Sequence, residues 1–509
     1  MAYLLGIDIG TSGTKTVLFD YQGRTVASDT QEYPLYQPKN GWAEQDPEDW
    51  WRATRVSVSN VLRKSGADAK EIKGIGLSGQ MHGLVLLDRD GAVLRRSIIW
   101  CDQRTTAECA EITEKVGAKR LIEITANPAL TGFTASKALW VKNNEPELFD
   151  KVAKILLPKD YIRYKLTGEF ATEVSDASGM QFLDVPKRRW SGEVLQKLGL
   201  REDMLGKVYE SFEVSGTVHH EAAALTGLAQ GTPVAGGGGD QAAGAVGNGI
   251  VRAGVISSTI GTSGVVFAHS DTVTIDPNGR VHTFCHAVPN TWHIMGVTQG
   301  AGLSLQWFRN QFCRDEMGTA AAMGVDPYQL MDREAAQVPP GANGLLYLPY
   351  LMGERTPHLD ADCRGVFFGL SATHTKRDML RAVMEGVVFS LRDCLEIIKD
   401  MGVPVGEVRA SGGGGKSPLW RQMQADVFGA EIQTVNSSEG PALGVALLAG
   451  VGTGVYKSVP EACDATIGVL TRQSGDPSVK PVYDGYHKLY GSLYKSLAAD
   501  FKTLAALAR

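Results

Sequence analysis

The chain has 509 residues, 43% of them hydrophobic and 21% charged, with 51 Lys and Arg against 56 Asp and Glu for a net charge of −5. This balance describes a folded globular protein of two or three domains and excludes a disordered or fibrous chain. It also leaves no basic surplus to hold a nucleic-acid backbone or an anionic membrane surface.

The seven cysteines, an odd number with no CxxC pair, argue against a disulfide framework or a four-cysteine zinc site and for a reducing cytoplasm. The N-terminus lacks a basic segment and breaks its apolar run at Asp8, unlike a signal peptide. The charge-free stretches 253–270 and 440–456 carry too much Gly, Ser and Thr for a membrane span. Glycine is the one anomaly, 59 of 509 residues against a usual ~7%, and it is clustered.

In chain order, an apolar strand over 3–7 leads into the turn Ile9-Gly10-Thr11-Ser12-Gly13 and a second strand over 17–19. A turn at 20–24 and a third strand over 25–28 follow, then a helix over 49–64 and a strand over 72–77. Next come Ser78-Gly79-Gln80-Met81-His82-Gly83, a strand over 84–87 and the turn 88–91. Residues 105–230 read as mostly helical, as at 136–143 and 159–166, and are expected to be insertions that cap a cleft. The strand Pro233–Ala235 runs into Gly236–Gly239, with Asp240 and a helix after it. Ile260-Gly261-Thr262-Ser263-Gly264 then repeats the first turn 251 residues downstream, flanked again by apolar strands. The segment Val405–Ala410 runs into Gly412–Gly415 and a helix over 418–428, whose early Pro418 fits a helix start. Matching turns with matching flanks, half a chain apart, predict a duplicated α/β architecture, with an N-terminal domain over 1–245 and a C-terminal domain over 246–509.

Glycine turns of this kind expose backbone N–H groups that can cradle phosphate oxygens; the plain alternative is a tight hairpin. The familiar nucleotide motifs fail: Gly415-Lys416-Ser417 ends like a P-loop, but Ala410 stands where its first glycine belongs, and Gly237–Ala242 fits GxGxxA only within a glycine run. Asp240 after four glycines is either a helix cap or a general base reaching a substrate hydroxyl. Asp8, a carboxylate late in an apolar strand, needs a donor or a metal, and magnesium uses one or two carboxylates with waters and phosphate oxygens. The second copy has Thr259 there, so the halves are not equivalent. His82, among glycines at a strand end, is either structural or a pocket residue; the His282–His286 stretch has the period of a strand rather than of a metal site.

Together these segments resemble the FGGY carbohydrate kinase family over essentially the whole chain. Gly6–Ser12 is similar to its first phosphate motif, Gly239-Asp240-Gln241 to its catalytic segment, Ile260–Ser263 to its second phosphate motif and Gly412–Gly415 to its adenosine motif. Gly365–Leu370, with Asp378 and Ala382-Val383-Met384-Glu385, resembles its C-terminal signature, and Lys137–Trp140 approximates the N-terminal one, with Ala138 departing from it. The resemblance implies two ribonuclease-H-like, actin-like ATPase domains around a central cleft, ATP and Mg2+ as cofactors, and a small sugar as substrate. It implies Asp240 as the catalytic base and Asp8 as the metal residue. It places Gly10, Thr11, Ser12, Gly13, Thr14, Gly261, Thr262, Ser263, Gly413, Gly414 and Ser417 at the nucleotide. It places Met81, His82, Asp240, Gln241, Trp100 and Arg104 at the sugar.

Within the family, Gln80–Gly83 and Gly353-Glu354-Arg355-Thr356-Pro357-His358 resemble the branch that phosphorylates the ketopentose D-xylulose. Glycerol-using members carry Gln-Arg-Glu where this chain has Gln80-Met81-His82. Kinases of D-ribulose, L-ribulose or glycerol, an actin-like ATPase switch and a non-catalytic sugar sensor remain the alternatives. No nucleic-acid or membrane partner is implied, and a homodimer is the one assembly allowed for.

Overall fold

The computed structural model describes residues 2–437 and 439–507. The N-terminal sheet is built from β1 (Tyr3–Ile9), β2 (Gly13–Asp20), β3 (Thr25–Glu32), β4 (Ile72–Gly79), β5 (Val214–Thr217), β6 (Pro233–Ala235) and the short β7 (Gly238–Gly239). Its spatial order is β5-β6-β4-β1-β2-β3, with β7 also paired to β4. The C-terminal sheet contains β8 (Gly254–Ile260), β9 (Gly264–Ser270), β10 (His282–Cys285), β11 (Trp292–Thr298), β12 (Val405–Gly412), β13 (Glu431–Val435) and β14 (Val469–Gln473), in the order β10-β11-β9-β8-β12-β13-β14.

Read from opposite ends, the two orders superpose: β3-β2-β1-β4-β6-β5 on β11-β9-β8-β12-β13-β14. Strand directions agree at every step, antiparallel for β1/β2 and β8/β9, parallel for β1/β4 and β8/β12. Even the register repeats, since Asp8 lies beside Ser78 and Thr259 beside Ser411. The repeat seen in sequence is therefore a repeat of the whole sheet, with β10 added at one edge.

Local chemistry explains the elements. Strand β1 sits in the middle of its sheet and is buried along most of its length, while the edge strand β3 alternates between half-buried and exposed positions. Helix α1 (Pro47–Ser65) starts at Asp46, whose carboxylate accepts from the Glu48 N–H, has proline in its first turn, and stops at Gly66 with φ +65°. Helix α2 (Pro158–Thr167) crosses behind β4, and the segment around it has an apolar core of its own, including Leu121, Leu139, Phe182 and Leu195. That region contains short strand pairs as well as helices, such as Leu183–Asp184 with Arg189–Trp190.

Helix α3 (Asp240–Gly247) opens directly after β7. In the C-terminal domain α4 (Ala301–Phe312), the long α5 (Lys376–Asp400), α6 (Pro418–Phe428) and α8 (Lys480–Leu507) surround the sheet. Thr375 and Asp378 cap α5 reciprocally, and Glu385 is held by Arg381, Tyr483 and the Gly341 N–H, so these signature residues secure a fold element.

Helix α7 (Gly440–Gly452) is apolar all round because it is buried all round. It lies against β1 and β4 of the other domain and against α3. A Cβ at Gly6 would fall 2.0 Å from Ala442 O, one at Gly76 1.9 Å from Val445 O, and one at Gly444 1.9 Å from Ala243 O. The glycines let α7 join the two halves at backbone contact.

Candidate active site

The two glycine turns are built alike. In the first, the Gly10 N–H donates to Gly13 O at 3.0 Å. The Gly10 carbonyl accepts from the Tyr33 hydroxyl and from the Gln80 amide (3.3 Å), and the Thr11 carbonyl accepts from the Gln45 amide (2.7 Å). In the second, the Gly261 N–H donates to Ser263 O (3.0 Å), and the N–H groups of Gly302 and Leu303, in the first turn of α4, donate to Gly261 O (2.8 Å) and Thr262 O (3.1 Å). The carbonyls are tied back, and among the described residues the N–H groups of Thr11, Ser12, Thr262 and Ser263 have no partner. Two turns with spare donors, one from each half, suit an anionic group in the cleft.

The Gly412–Gly415 turn lies beside the second of these. Gly412 has φ +71°, Gly414 donates to Ile260 O at 3.1 Å, and a Cβ at Gly414 would meet Ile260 Cβ at 2.5 Å. Gly413 is exposed, with nothing closer than 3.7 Å to where a Cβ would stand.

Asp240 is the first residue of α3, but Gly239 is the N-cap and no side chain caps this helix. The carboxyl stands one residue past the cap position and is hydrogen-bonded by the backbone and side chain of Gln241. Burial first, and then the negative charge of Asp8, push it up to about 7, against the hydrogen bonds of Gln241. Asp8 is also pushed up by burial, while Ser78 and Lys15 act the other way. Its Oδ1 is buried and has no hydrogen-bond partner. Such an orphaned carboxylate oxygen fits a hydrated Mg2+, which needs few protein ligands; among the described residues no cluster of three His, Cys, Asp or Glu competes for a metal. In the second half the matching Thr259 satisfies itself on Ser411 at 2.7 Å. Within the matched strand and turn, the first half thus has a carboxylate where the second has a neutral hydroxyl.

His82 has φ +70° and packs at a tilt against Phe133, with ring centroids 4.8 Å apart. Its Nδ1 lies 2.9 Å from Gly179 O, which can only accept, so Nδ1 carries the proton and Nε2 is left as an acceptor. Burial, then the charge of Lys137, hold the imidazole neutral, far below its usual range. Lys137 fixes this backbone by donating to His82 O (2.8 Å) and Gly132 O (2.6 Å). Gln241 is half-buried beside Asp240. Met81 is 5% exposed and packs under Gly239, offering the pocket an apolar floor. Trp100 is exposed, and its Nε1 donates to Thr11 Oγ1 at 2.9 Å, tying the His82 side of the cleft to the first turn.

Four expectations change. Arg104 has 1% of its side chain exposed, paired with Asp102 (2.7 Å) and Glu44 (2.9 Å) and lying 3.6 Å over Trp42, so it orders its loop and has no free face for a substrate. The Ser417 hydroxyl accepts from Trp420 N–H at 3.0 Å as the N-cap of α6. Thr14 is fully buried at the start of β2, so its side chain is sealed from the cleft. Gly236–Gly239 is not a phosphate turn: all four residues are buried, β7 pairs with β4, and a Cβ at Gly237 would stand 2.0 Å from Leu77 O.

That glycine strand is held by residues that sequence reasoning missed. Arg163 donates to Gly236 O, and the Gly239 N–H donates to Ser175 Oγ (3.1 Å), which in turn donates to Glu173 (2.9 Å). Lys159 completes a fully buried ionic cluster with Asp160 (2.9 Å), Asp176 (3.1 Å) and Glu173 (3.4 Å). Charged residues on a predicted helix face carried no signal that they were buried. Behind the first turn, Gln80 and Trp50 hold Gln45 at 2.7 and 3.2 Å.

Duplicated sheets with a donor turn in each half, and the neighbouring carboxyls of Asp8 and Asp240 in the N-terminal half, define a phosphotransferase of the actin-like ATPase fold. The N-terminal domain model of the FGGY family of carbohydrate kinases matches residues 3–247 and the C-terminal domain model residues 256–453. The chain belongs to this family and is a carbohydrate kinase. It is similar to a xylulose kinase of Bacillus subtilis, 42% identical over 494 residues, 96% of this chain and 97% of that one. A solved xylulose kinase from Rhodospirillum rubrum superposes with a TM-score of 0.91 at 31% identity, over 98% of this chain and all of the other. A gluconokinase of Bacillus licheniformis is 33% identical over 99% of this chain and 98% of its own length.

Proposed function

We propose that the protein phosphorylates D-xylulose to D-xylulose 5-phosphate with ATP. The observation that carries the mechanism is the Asp240 carboxyl, buried beside Asp8 and pushed up to about 7, where it can exchange a proton near neutrality. Asp240 takes the proton of the 5-hydroxyl as that oxygen bonds to the γ-phosphorus. The bond from γ-phosphorus to its bridging oxygen breaks, and ADP leaves with the electron pair. The spare N–H groups of Thr11, Ser12, Thr262 and Ser263 hold the phosphates in line. Gly413, open on its outer face, packs against adenosine.

Asp8, with its unpartnered Oδ1, would hold a hydrated Mg2+, which would supply charge neutralisation at the phosphates. His82 accepts a sugar hydroxyl at Nε2, and Gln241 orients the sugar beside Asp240. The names of the xylulose kinase relatives support the substrate, as does a pocket with Met81 and His82 where a glycerol site needs an Arg-Glu pair.

The gluconokinase relative favours an aldonate as the second reading. Coupled ADP release with D-xylulose, D-ribulose, L-ribulose, L-xylulose, glycerol, D-gluconate and water decides between them. D-xylulose is expected to give the highest kcat/KM, because polar groups built for one hydroxyl pattern are left unpaired by another. Glycerol or gluconate equalling it would overturn the substrate, and fast turnover with water alone would favour an ATPase switch.

A further inference from the structure

The turn Gly353–His358 of the C-terminal domain holds an arginine with no partner. Among the described residues the Arg355 side chain makes no hydrogen bond, ion pair or ring contact. The other arginines of this region are committed: Arg104 to Asp102, Arg163 to Asp160, Arg188 to Glu210 and Arg280 to Asp276. The Arg355 backbone is fixed on both sides. Its N–H and that of Gln299 both donate to Glu354 Oε1 at 2.8 Å. The Thr356 N–H donates to Val297 O at 3.0 Å, while Thr356 Oγ1 accepts from the Val297 N–H at 3.1 Å and donates to Arg280 O at 2.7 Å. A rigid mount with a free, half-buried cation is an unfinished site, since such a charge is costly to bury without acceptors.

Its place is at the sugar end of the cleft. Val297 belongs to the same apolar cluster as Met81, Phe133 and Phe284, and the His82 ring lies on Phe133 and Phe284, 4.8 and 6.2 Å away. The Arg355 charge helps to hold both His82 and His282 neutral. Asp240 does not feel it, its surroundings being set by burial, Asp8 and Gln241. The neighbouring Glu354, pushed up to about 8 by burial, does not cancel the charge at neutral pH.

We propose that Arg355 is a sugar-binding residue supplied by the C-terminal domain, whose guanidinium fork donates to two adjacent oxygens of the ketose, the 1-hydroxyl and the 2-carbonyl, at the end remote from the transferred hydroxyl. This rests on the kinase and ketose reading above. A planar fork matches two neighbouring acceptors, which a lysine cannot reproduce.

The test compares wild type, Arg355→Met and Arg355→Lys with D-xylulose and 1-deoxy-D-xylulose, by steady-state kinetics and by calorimetric sugar binding without nucleotide. Arg355→Met is expected to weaken D-xylulose binding and raise its KM by at least ~10-fold, with the ATP KM held within about twofold. Wild type should prefer D-xylulose to the 1-deoxy sugar, and Arg355→Met should lose that preference, with Arg355→Lys recovering only part of it. Because no internal bond is removed, the Met variant should unfold at no lower temperature than wild type. Unchanged sugar binding in Arg355→Met, or a loss confined to the ATP KM, would overturn the assignment. If wild type itself ignores D-xylulose and uses another sugar of the panel, the proposed function fails instead, and the variants measured on that sugar still decide Arg355.

Discussion

Asp240 and Asp8 show how one carboxylate sets the chemistry of another. Burial of Asp240 and the charge of Asp8 both oppose its ionisation, so the acid limb of kcat/KM for sugar is expected near pH 7. Asp240→Asn should keep the fold and ATP binding, since Gly239 rather than Asp240 caps α3, and should lower kcat by roughly 10²-fold or more. Turnover close to wild type would remove Asp240 from catalysis.

The same shift has a stability consequence. Its folded pKa lies above the unfolded value of 3.8, so the native state holds the extra proton between about pH 4 and 7, and stability falls as pH rises through that window. Asp240→Asn should therefore melt a few degrees above wild type at pH 8, with the difference vanishing near pH 4, as differential scanning calorimetry can measure. For His82, substitution by Ala should raise the sugar KM by ~10-fold or more and leave the ATP KM nearly unchanged, because the role proposed for Nε2 is to accept from a sugar hydroxyl. A parallel rise in both constants would make His82 structural.

At the scale of elements, glycine serves two different ends in this chain. On α7 and its neighbours it permits backbone contact between the two halves, whereas at Gly413 it leaves open space. Gly444→Ala places a methyl 1.9 Å from Ala243 O and should destabilise the protein by about 1–3 kcal/mol in urea titration. Gly413→Ala meets nothing within 3.7 Å, and is expected to leave stability intact while raising the ATP KM. If both variants lose stability alike, the distinction between a packing glycine and a ligand-facing glycine fails. The apolar, charge-free segment at 440–456 is explained by the same geometry: among the described residues no helix is long and apolar enough to cross a membrane, and this one is instead enclosed by protein on every side.

Across the whole molecule, the two donor turns come from different halves, and the proposed reaction needs them to converge on one polyphosphate. The glycine strand 236–239 is unsuited to a hinge, because it is locked into the sheet by β4, Arg163 and Ser175. The chain continues from α3 into the C-terminal half through Asn248 and Gly249 (φ +70°), beside the contact of α3 with α7. Sugar gripped by His82 on one side and Arg355 on the other would draw the halves together and exclude water from the phosphate. Small-angle scattering is expected to give a smaller radius of gyration with D-xylulose and a non-hydrolysable ATP analogue than without ligands, and ATP hydrolysis without sugar should be slow. Identical profiles, with hydrolysis as fast as phosphorylation, would exclude closure as the gate.

How much of this could be read before folding differs by residue. The repeat of Ile9–Gly13 at Ile260–Gly264, the strand–turn–strand units around it, the cap and stop of α1 and the helix after Pro418 are all local patterns, set by side-chain period and by turn chemistry within a few residues. The sequence alone therefore determined the two-fold α/β plan, the donor turns and the two candidate carboxylates. Ser417 caps its own helix, a local role; Arg104, Thr14 and Gly236–Gly239 went astray for a common reason. Their roles depend on neighbours far along the chain, such as Arg163 reaching Gly236 or Glu44 reaching Arg104, and burial of a charge is not written in the residue that carries it. The burial of Asp240 beside Asp8, the tautomer of His82 and the unpaired Arg355 near residues of the opposite domain were decided only by tertiary structure, because each is a statement about which distant groups came close and which did not.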